Sequence, residues 1–156
     1  MKRIKLTQNK YALLDDSDFQ ELNNHKWYTI KHGNTFYAVR QSKRINGKQK
    51  RIFMHRIIAG TPNGKETDHV DCDGLNNQRR NLRVCTRSEN EMNKGLTKLN
   101  TSGFKGVSWF KTSKKWGARI YYNGKNKHLG LFKTKLEAYN VYCKASKIYH
   151  REFSRI

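Results

Sequence analysis

An aspartate followed directly by a histidine, Asp68-His69, lies near the middle of the chain, and two asparagines, Asn81 and Asn90, follow it at gaps of 12 and 9 residues. Side chains of these types suit hydrolysis of a phosphate ester, which needs an activated water and a cation to neutralise charge on the leaving oxygen. The imidazole of His69 accepts a proton near neutral pH and is the candidate general base. Asp68 offers the hard oxygen that Mg²⁺ prefers, and Asn90 adds a neutral amide oxygen. One carboxylate and one amide are a thin ligand set, so a single divalent ion is expected to bind weakly until phosphates and waters complete its octahedron. Asp71 and Asp73 are read as loop-solvating residues, with extra metal oxygens as the alternative. His55 is left open between orienting the site, touching a ligand and being a satisfied core histidine. The run Asp71-Cys72-Asp73-Gly74 puts its glycine fourth and not sixth, which excludes an EF-hand calcium loop.

Charge points to the ligand. The 156 residues carry 33 Lys and Arg against 12 Asp and Glu, a net +21, which calls for a polyanionic partner. Its distribution is uneven: 13 basic and 4 acidic residues in 1–60, 6 and 6 in 61–95, and 14 and 2 in 96–156. A surface that only grips phosphate has no use for carboxylates, whereas a site holding a cation against a phosphate needs them. A solvated mixed-charge loop is the alternative. No apolar run approaches the roughly 18 residues that span a bilayer. The start, MKRIKLTQNKYALL, lacks the apolar core of a secretory signal, so a soluble, cytoplasmic protein is expected. Cys72, Cys85 and Cys143 are odd in number and widely spaced, which argues for free thiols and against a disulfide or zinc-cysteine site.

The elements that must position these residues are short. Ile4 and Leu6 alternate with basic residues, Tyr11–Leu14 is a second apolar run, and Asp16 or Ser17 can cap a brief helix over Asp18–Leu22. Trp27–Ile30 and Phe36–Arg40 read as strands, and Asn46-Gly47 marks a hairpin leading into Arg51–Met54. Its tip gathers Lys43, Arg44, Lys48, Lys50 and Arg51, candidate phosphate contacts. The middle segment runs strand (Glu66–Val70), long loop, strand (Leu82–Cys85), helix, the last opened by the T-x-x-E box Thr86–Glu89 and stopped at Gly95. After an aperiodic stretch, 96–102, come strands over 106–110, 116–122 and 127–132. A second capping box, Thr134–Glu137, then opens a helix carrying Ala138, Val141, Tyr142, Ala145 and Tyr149.

The middle motifs, His55-Arg-Ile-Ile, Asp68-His69, Leu75-Asn76-Asn77, Asn81-Leu82-Arg83 and Glu89-Asn90, resemble the HNH nucleases of phage and intron-borne homing enzymes. The resemblance spans residues 54–95 and implies a ββα-metal core. It also implies His69, Asn81 and Asn90 as catalytic residues, with Asp68 and Asn90 on the metal and Asn81 bonding across the loop to fix the His69 backbone. The C-terminal motifs, Gly103-Phe-Lys-Gly-Val, Trp116-Gly-Ala-Arg-Ile, Leu129-Gly-Leu-Phe and Glu137-Ala-Tyr, resemble the APETALA-type, ethylene-response-factor DNA-binding domain. That family implies a three-stranded sheet in the major groove with a helix behind it. The same picture follows from pattern: Ala118, Ile120 and Tyr122 share one face, leaving Arg119 and Tyr121 on the other. Lys105, Trp109, Lys111, Lys127 and His128 are further candidates for the groove. Trp109 and Trp116 are also open to being core residues. Ser108 stands where that family usually has arginine, and the loop 111–115 is one residue longer, so plant base preferences do not carry over.

The expected architecture is α+β: a basic β module (1–53), an HNH nuclease motif (54–95), a linker (96–102) and a sheet-plus-helix DNA reader (103–156). The expected function is site-specific endonuclease of double-stranded DNA, monomeric on its target, Mg²⁺-dependent, leaving a 5′-phosphate and a 3′-hydroxyl. The resemblance further implies homing in a phage or bacterial mobile element. Two rivals stand beside it: a non-catalytic DNA-binding regulator with a decayed site, and a basic RNA-binding protein, which accounts for the charge but not for the central constellation.

Overall fold

Alternation of apolar residues sets the first pairing. Strands β1 (Lys2–Lys5) and β2 (Tyr11–Leu14) run antiparallel, turning at Gln8 and Asn9, and bury Ile4, Leu6, Ala12 and Leu14 on one side while their charges stay in water. The computed structural model describes residues 1–156, in a mixed α/β arrangement of four small sheets and four main helices. The chain divides into two compact units, Met1–Arg87 and Ser88–Ile156.

In the first unit, helix α1 (Asp16–Asn23) follows β2, longer than the sequence pattern predicts. Its N-cap is Asp15, whose carboxylate does not cap the helix but accepts from the Arg79 backbone N–H at 2.8 Å. Strands β3 (Tyr28–His32), β4 (Thr35–Gln41) and β5 (Arg51–Phe53) form an antiparallel sheet in that order. A one-turn helix that periodicity did not reveal, α2 (Met54–Ile58), continues from β5 without a break. Strands β6 (Glu66–His69) and β7 (Leu82–Cys85) pair in a two-stranded ladder. One core joins these pieces: Ile4, Leu14, Leu22, Trp27, Ala38, Met54 and Ile58 pack together, with Leu75 and Leu82 against them. The expected boundary after residue 53 therefore runs through a core and not between two. Apolar residues from both sides of position 53 leave water in the same place.

The second unit contains most of α3 (Arg87–Asn93) and the C-terminal sheet. Strands β8 (Val107–Phe110), β9 (Lys115–Tyr122) and β10 (Lys125–Phe132) pair antiparallel with β9 central. Helix α4 (Lys135–Tyr149) covers one face through Ala138, Tyr142 and Ala145, set against Val107, Ala118 and Ile120. Its capping box forms as the sequence predicts. Thr134 Oγ1 accepts from the Glu137 N–H and Glu137 Oε2 from the Thr134 N–H, each at 3.2 Å. The expected linker is not free to its end, because Ser102 is buried and its hydroxyl reaches the carbonyls of Phe104 and Val107 at 2.9 Å.

Candidate active site

His69 closes β6, where the ladder pairs it with Leu82 and pairs Asp68 with Arg83. Both Asp68 and His69 are buried. The His69 ring meets Asn77 at 3.3 Å between Nε2 and the amide oxygen, a contact in which Nε2–H donates. Burial pushes His69 below the usual imidazole range. The bond to Asn77 and the carboxylates of Asp71, Asp68 and Asp73 oppose that shift without reversing it. A neutral imidazole at pH 7 is the form a general base needs.

The long loop between β6 and β7 is held by its own polar side chains. Asn81 Nδ2 donates to Asp71 Oδ1 at 2.9 Å and to the Asn76 carbonyl at 2.8 Å, and Asn81 Oδ1 accepts from the Asp71 N–H at 3.1 Å. The Asn81 carbonyl accepts from the Val70 N–H, next to His69, at 2.9 Å. Asp71 and Asp73 are drawn into the same lattice: Asp71 Oδ1 accepts from the Asp73 N–H and Asp73 Oδ1 from the Leu75 N–H. Burial alone would raise the Asp71 carboxyl, but bonds from Asp73, Asn76 and Asn81 hold it below the usual carboxylate range. These two aspartates therefore shape the loop.

The first fifty residues clamp this loop from outside. Leu13 exchanges backbone bonds with Leu75 (2.9 Å) and Asn77 (2.8 Å). Arg79 makes a two-pronged ion pair with Asp18, Nε–Oδ2 at 2.9 Å and Nη2–Oδ1 at 2.5 Å. The Gly74 N–H donates to Thr35 Oγ1 at 3.0 Å. A β-carbon on Gly74 would stand 2.4 Å from the Phe36 carbonyl oxygen, so only glycine lets the loop lie this close to β4.

Aromatic rings wall the histidine. Tyr37 stands edge-on to His69 at 5.8 Å between centroids and to His55 at 5.4 Å, and His55 lies 5.0 Å from His69. His55 is 7% exposed, its Nδ1 has no hydrogen-bond partner, and burial, reinforced by His69 and Arg56, lowers its pKa to about 3. Of the three readings left open for His55, the structure places it against His69 as a buried neutral ring. Sequence reasoning missed Tyr37 and the clamp of Asp15 and Asp18, which lie tens of residues from the motif and carry no local signal. Asn77 lies in the Leu75-Asn76-Asn77 motif, but nothing in the sequence marked it as the partner of His69.

His55 gives a pH prediction. Its folded pKa lies below its ordinary value of 6.5, so the unfolded chain takes up a proton that the folded chain refuses. Stability present above pH 6.5 is therefore lost as pH falls toward 3, at up to about 1.4 kcal/mol per pH unit. His55→Phe keeps the ring contacts and removes the proton. Urea midpoints between pH 7 and 4 should fall less steeply in the variant. Parallel curves for variant and wild type would rule the assignment out.

Hard oxygen donors are few. Asp68 Oδ2 is held by Arg83, Nε at 2.7 Å and Nη2 at 2.6 Å, and nowhere do three His, Cys, Asp or Glu side chains gather as a metal cage. An ion held at Asp68 would draw most of its shell from water and substrate oxygens. Asn90 lies on α3 in the second unit.

The nucleic-acid candidates sort by face. Lys43, Arg44, Lys48, Lys50 and Arg51 are all exposed. In the C-terminal sheet, register puts Trp109 opposite Trp116 and Lys127 opposite Ile120, on the face that α4 covers. Trp109 packs against Trp116 at 5.1 Å, and Lys127 Nζ donates to the Tyr149 hydroxyl of α4 at 2.5 Å. Lys127 was expected on the groove side, and Trp109 was open between groove and core. Strand alternation carries both to the helix-covered side. Lys105 is also occupied, its ammonium reaching the carbonyls of Met92 (2.5 Å) and Lys94 (2.6 Å). The open face presents Ser108, Phe110, Arg119, Tyr121, Asn126 and His128. Lys111 lies exposed in the β8–β9 turn.

Comparison with known proteins gives an assignment for the middle of the chain. Residues 53–92 match the HNH endonuclease family. The chain is 41% identical over 64 residues to Protein 3.8 of Escherichia phage T7, an alignment covering 41% of this chain and 53% of that protein. The chain thus spans about half the length of that relative. No solved structure matches it. No helix is long and apolar enough to cross a membrane.

Proposed function

We propose that this protein is a site-specific endonuclease of double-stranded DNA that hydrolyses one phosphodiester bond per site. What carries the reading is His69: a buried, neutral imidazole beside Asp68, on a loop cross-linked by Asn81, inside the segment that matches HNH endonucleases. The His69 imidazole takes a proton of the attacking water as the new P–O bond forms, and the bond to the 3′-oxygen breaks, that oxygen taking a proton from solvent, to leave a 5′-phosphate and a 3′-hydroxyl. Asp68 would be the carboxylate ligand of Mg²⁺, which would supply Lewis-acid stabilisation of the leaving oxygen. Asn81 keeps the loop closed behind the histidine. Tyr37 and His55 exclude water from the back of its ring.

The reader is the open face of the C-terminal sheet, with Arg119, Tyr121 and His128 as the contacts favoured by register, while Lys105, Trp109 and Lys127 make contacts within the protein. The family match stops at residue 92, so the APETALA-type reading rests on the motifs quoted from that segment and on a three-stranded sheet backed by one helix. Two modest binding units on one chain raise each other's effective concentration, which suits a long target read by a monomer. The setting is the cytoplasm of a bacterial or phage-infected cell, where homing of a mobile element is the role.

The test is digestion of phage and host genomic DNA with Mg²⁺ or with EDTA. Discrete, metal-dependent fragments support the reading. Tight duplex binding without cuts transfers it to a DNA-binding regulator whose central motif is scaffold.

A further inference from the structure

Past the three-stranded sheet, β4 and β5 continue as a hairpin. The Ser42 N–H donates to the Lys50 carbonyl at 2.8 Å, and Ile45 and Lys48 exchange two backbone bonds of 2.9 Å. Asn46 (φ 49°) and Gly47 (φ 74°) close it in the two-residue turn that matches strand twist. Ser42 Oγ accepts from the Lys50 N–H at 2.9 Å, so the finger is a paired ribbon and not a slack loop. Lys43, Arg44, Lys48, Lys50 and Arg51 line it, all exposed and none in an ion pair. At the tip, among these cations, stands Ile45. It is 71% exposed, the most exposed large apolar side chain of the first unit.

A cationic ribbon tipped by a branched aliphatic residue is poorly suited to water alone. It matches what groove-inserting proteins require: basic side chains for the phosphates and an apolar wedge to part a base step. We propose that the 42–50 finger enters the minor groove of duplex DNA and that Ile45 inserts between base pairs, partly unstacking and unwinding them. The charge of the finger selects the polyanion, and the wedge requires stacked base pairs. The proposal rests on the reading of DNA as ligand but not on cleavage.

Relaxed closed-circular plasmid, saturated with the full-length protein in EDTA and treated with a topoisomerase that needs no metal, tests it. After removal of protein, wild type should leave negative supercoils. Ile45→Ser should leave about threefold fewer per bound protein, and Ile45→Phe should restore them. The salt dependence of binding should be the same for wild type and Ile45→Ser. Removing Lys48 and Lys50 should flatten its log–log slope by about 0.9 for each phosphate that the finger no longer neutralises. Equal supercoiling by wild type and Ile45→Ser, or none by wild type, would overturn the wedge. Because EDTA silences hydrolysis, a protein that unwinds DNA but never cuts it with Mg²⁺ keeps the wedge and loses the nuclease reading.

Discussion

Replacing His69 by alanine is expected to slow duplex cleavage in Mg²⁺ by about 10²–10⁴-fold, the range over which a positioned general base contributes. Affinity for DNA should change little, because His69 is 4% exposed and its neutral ring brings no charge to pair with phosphate. The effect should fall on the chemical step and leave binding intact. Two features make the loss large. The ring is neutral, kept so by burial, and Asn77 holds its orientation through Nε2. Alanine removes the base and leaves the loop, because Asn81, Asp71 and Asp18 hold that loop without help from the imidazole. Single-turnover cleavage of a preformed complex, with binding measured in parallel in EDTA, separates the two effects. Equal rates for wild type and His69→Ala would remove His69 from the mechanism and with it the argument from neutrality.

Gly106→Ala should destabilise the second unit by about 2–6 kcal/mol, adding left-handed backbone strain to overpacking. Gly106 has φ +72°, and a β-carbon there would lie 2.1 Å from Tyr142 Cδ2 and 2.8 Å from the Arg119 carbonyl oxygen. Neither neighbour can yield cheaply. Tyr142 is buried between Ile120 and Ala145, and the Arg119 backbone is tied to Gly106 itself by an N–H···O bond of 2.9 Å. Gly33→Ala is the control, since φ is +61° but nothing lies within 4 Å. It should show strain alone, about 1–3 kcal/mol. Hydrogen exchange read by mass spectrometry should show protection falling over β8–β10 and α4 in Gly106→Ala while β1–β4 stay protected. Sequence-selective binding should go with it, because the proposed reading face is built on β9. Undiminished protection over β8–β10 would show that the packing around Tyr142 relaxes freely.

Short-range structure was legible where side chains and backbone agree locally. The Thr134–Glu137 capping box, the Asn46-Gly47 turn and the alternation of Ala118, Ile120 and Tyr122 each need only a few neighbouring residues, and each stands as read. Helix α2 was not legible, because five residues hold too little periodicity to tell a buried helical turn from the end of a strand. The same limit misplaced Lys127 and left Trp109 open between two faces. Their face depends on register with β9, and a shift of one residue exchanges the two sides of a sheet.

The candidate site divides in the same way. The spacing of Asp68, His69, Asn81 and Asn90, and the neutral segment between two basic flanks, are properties of the amino-acid sequence, and they determined the chemistry to look for. The environment of the histidine belongs to the tertiary structure: Tyr37 and His55 against its ring, Arg79 paired with Asp18, and Leu13 bonded to Leu75 and Asn77. Those pairings join residues up to 64 positions apart in the chain, as for Leu13 and Asn77. Pairings at that separation leave no period in the sequence. They arise because the apolar residues of β1, β2, α1 and α2 share one core, and its closure draws the loop and its histidine out of water.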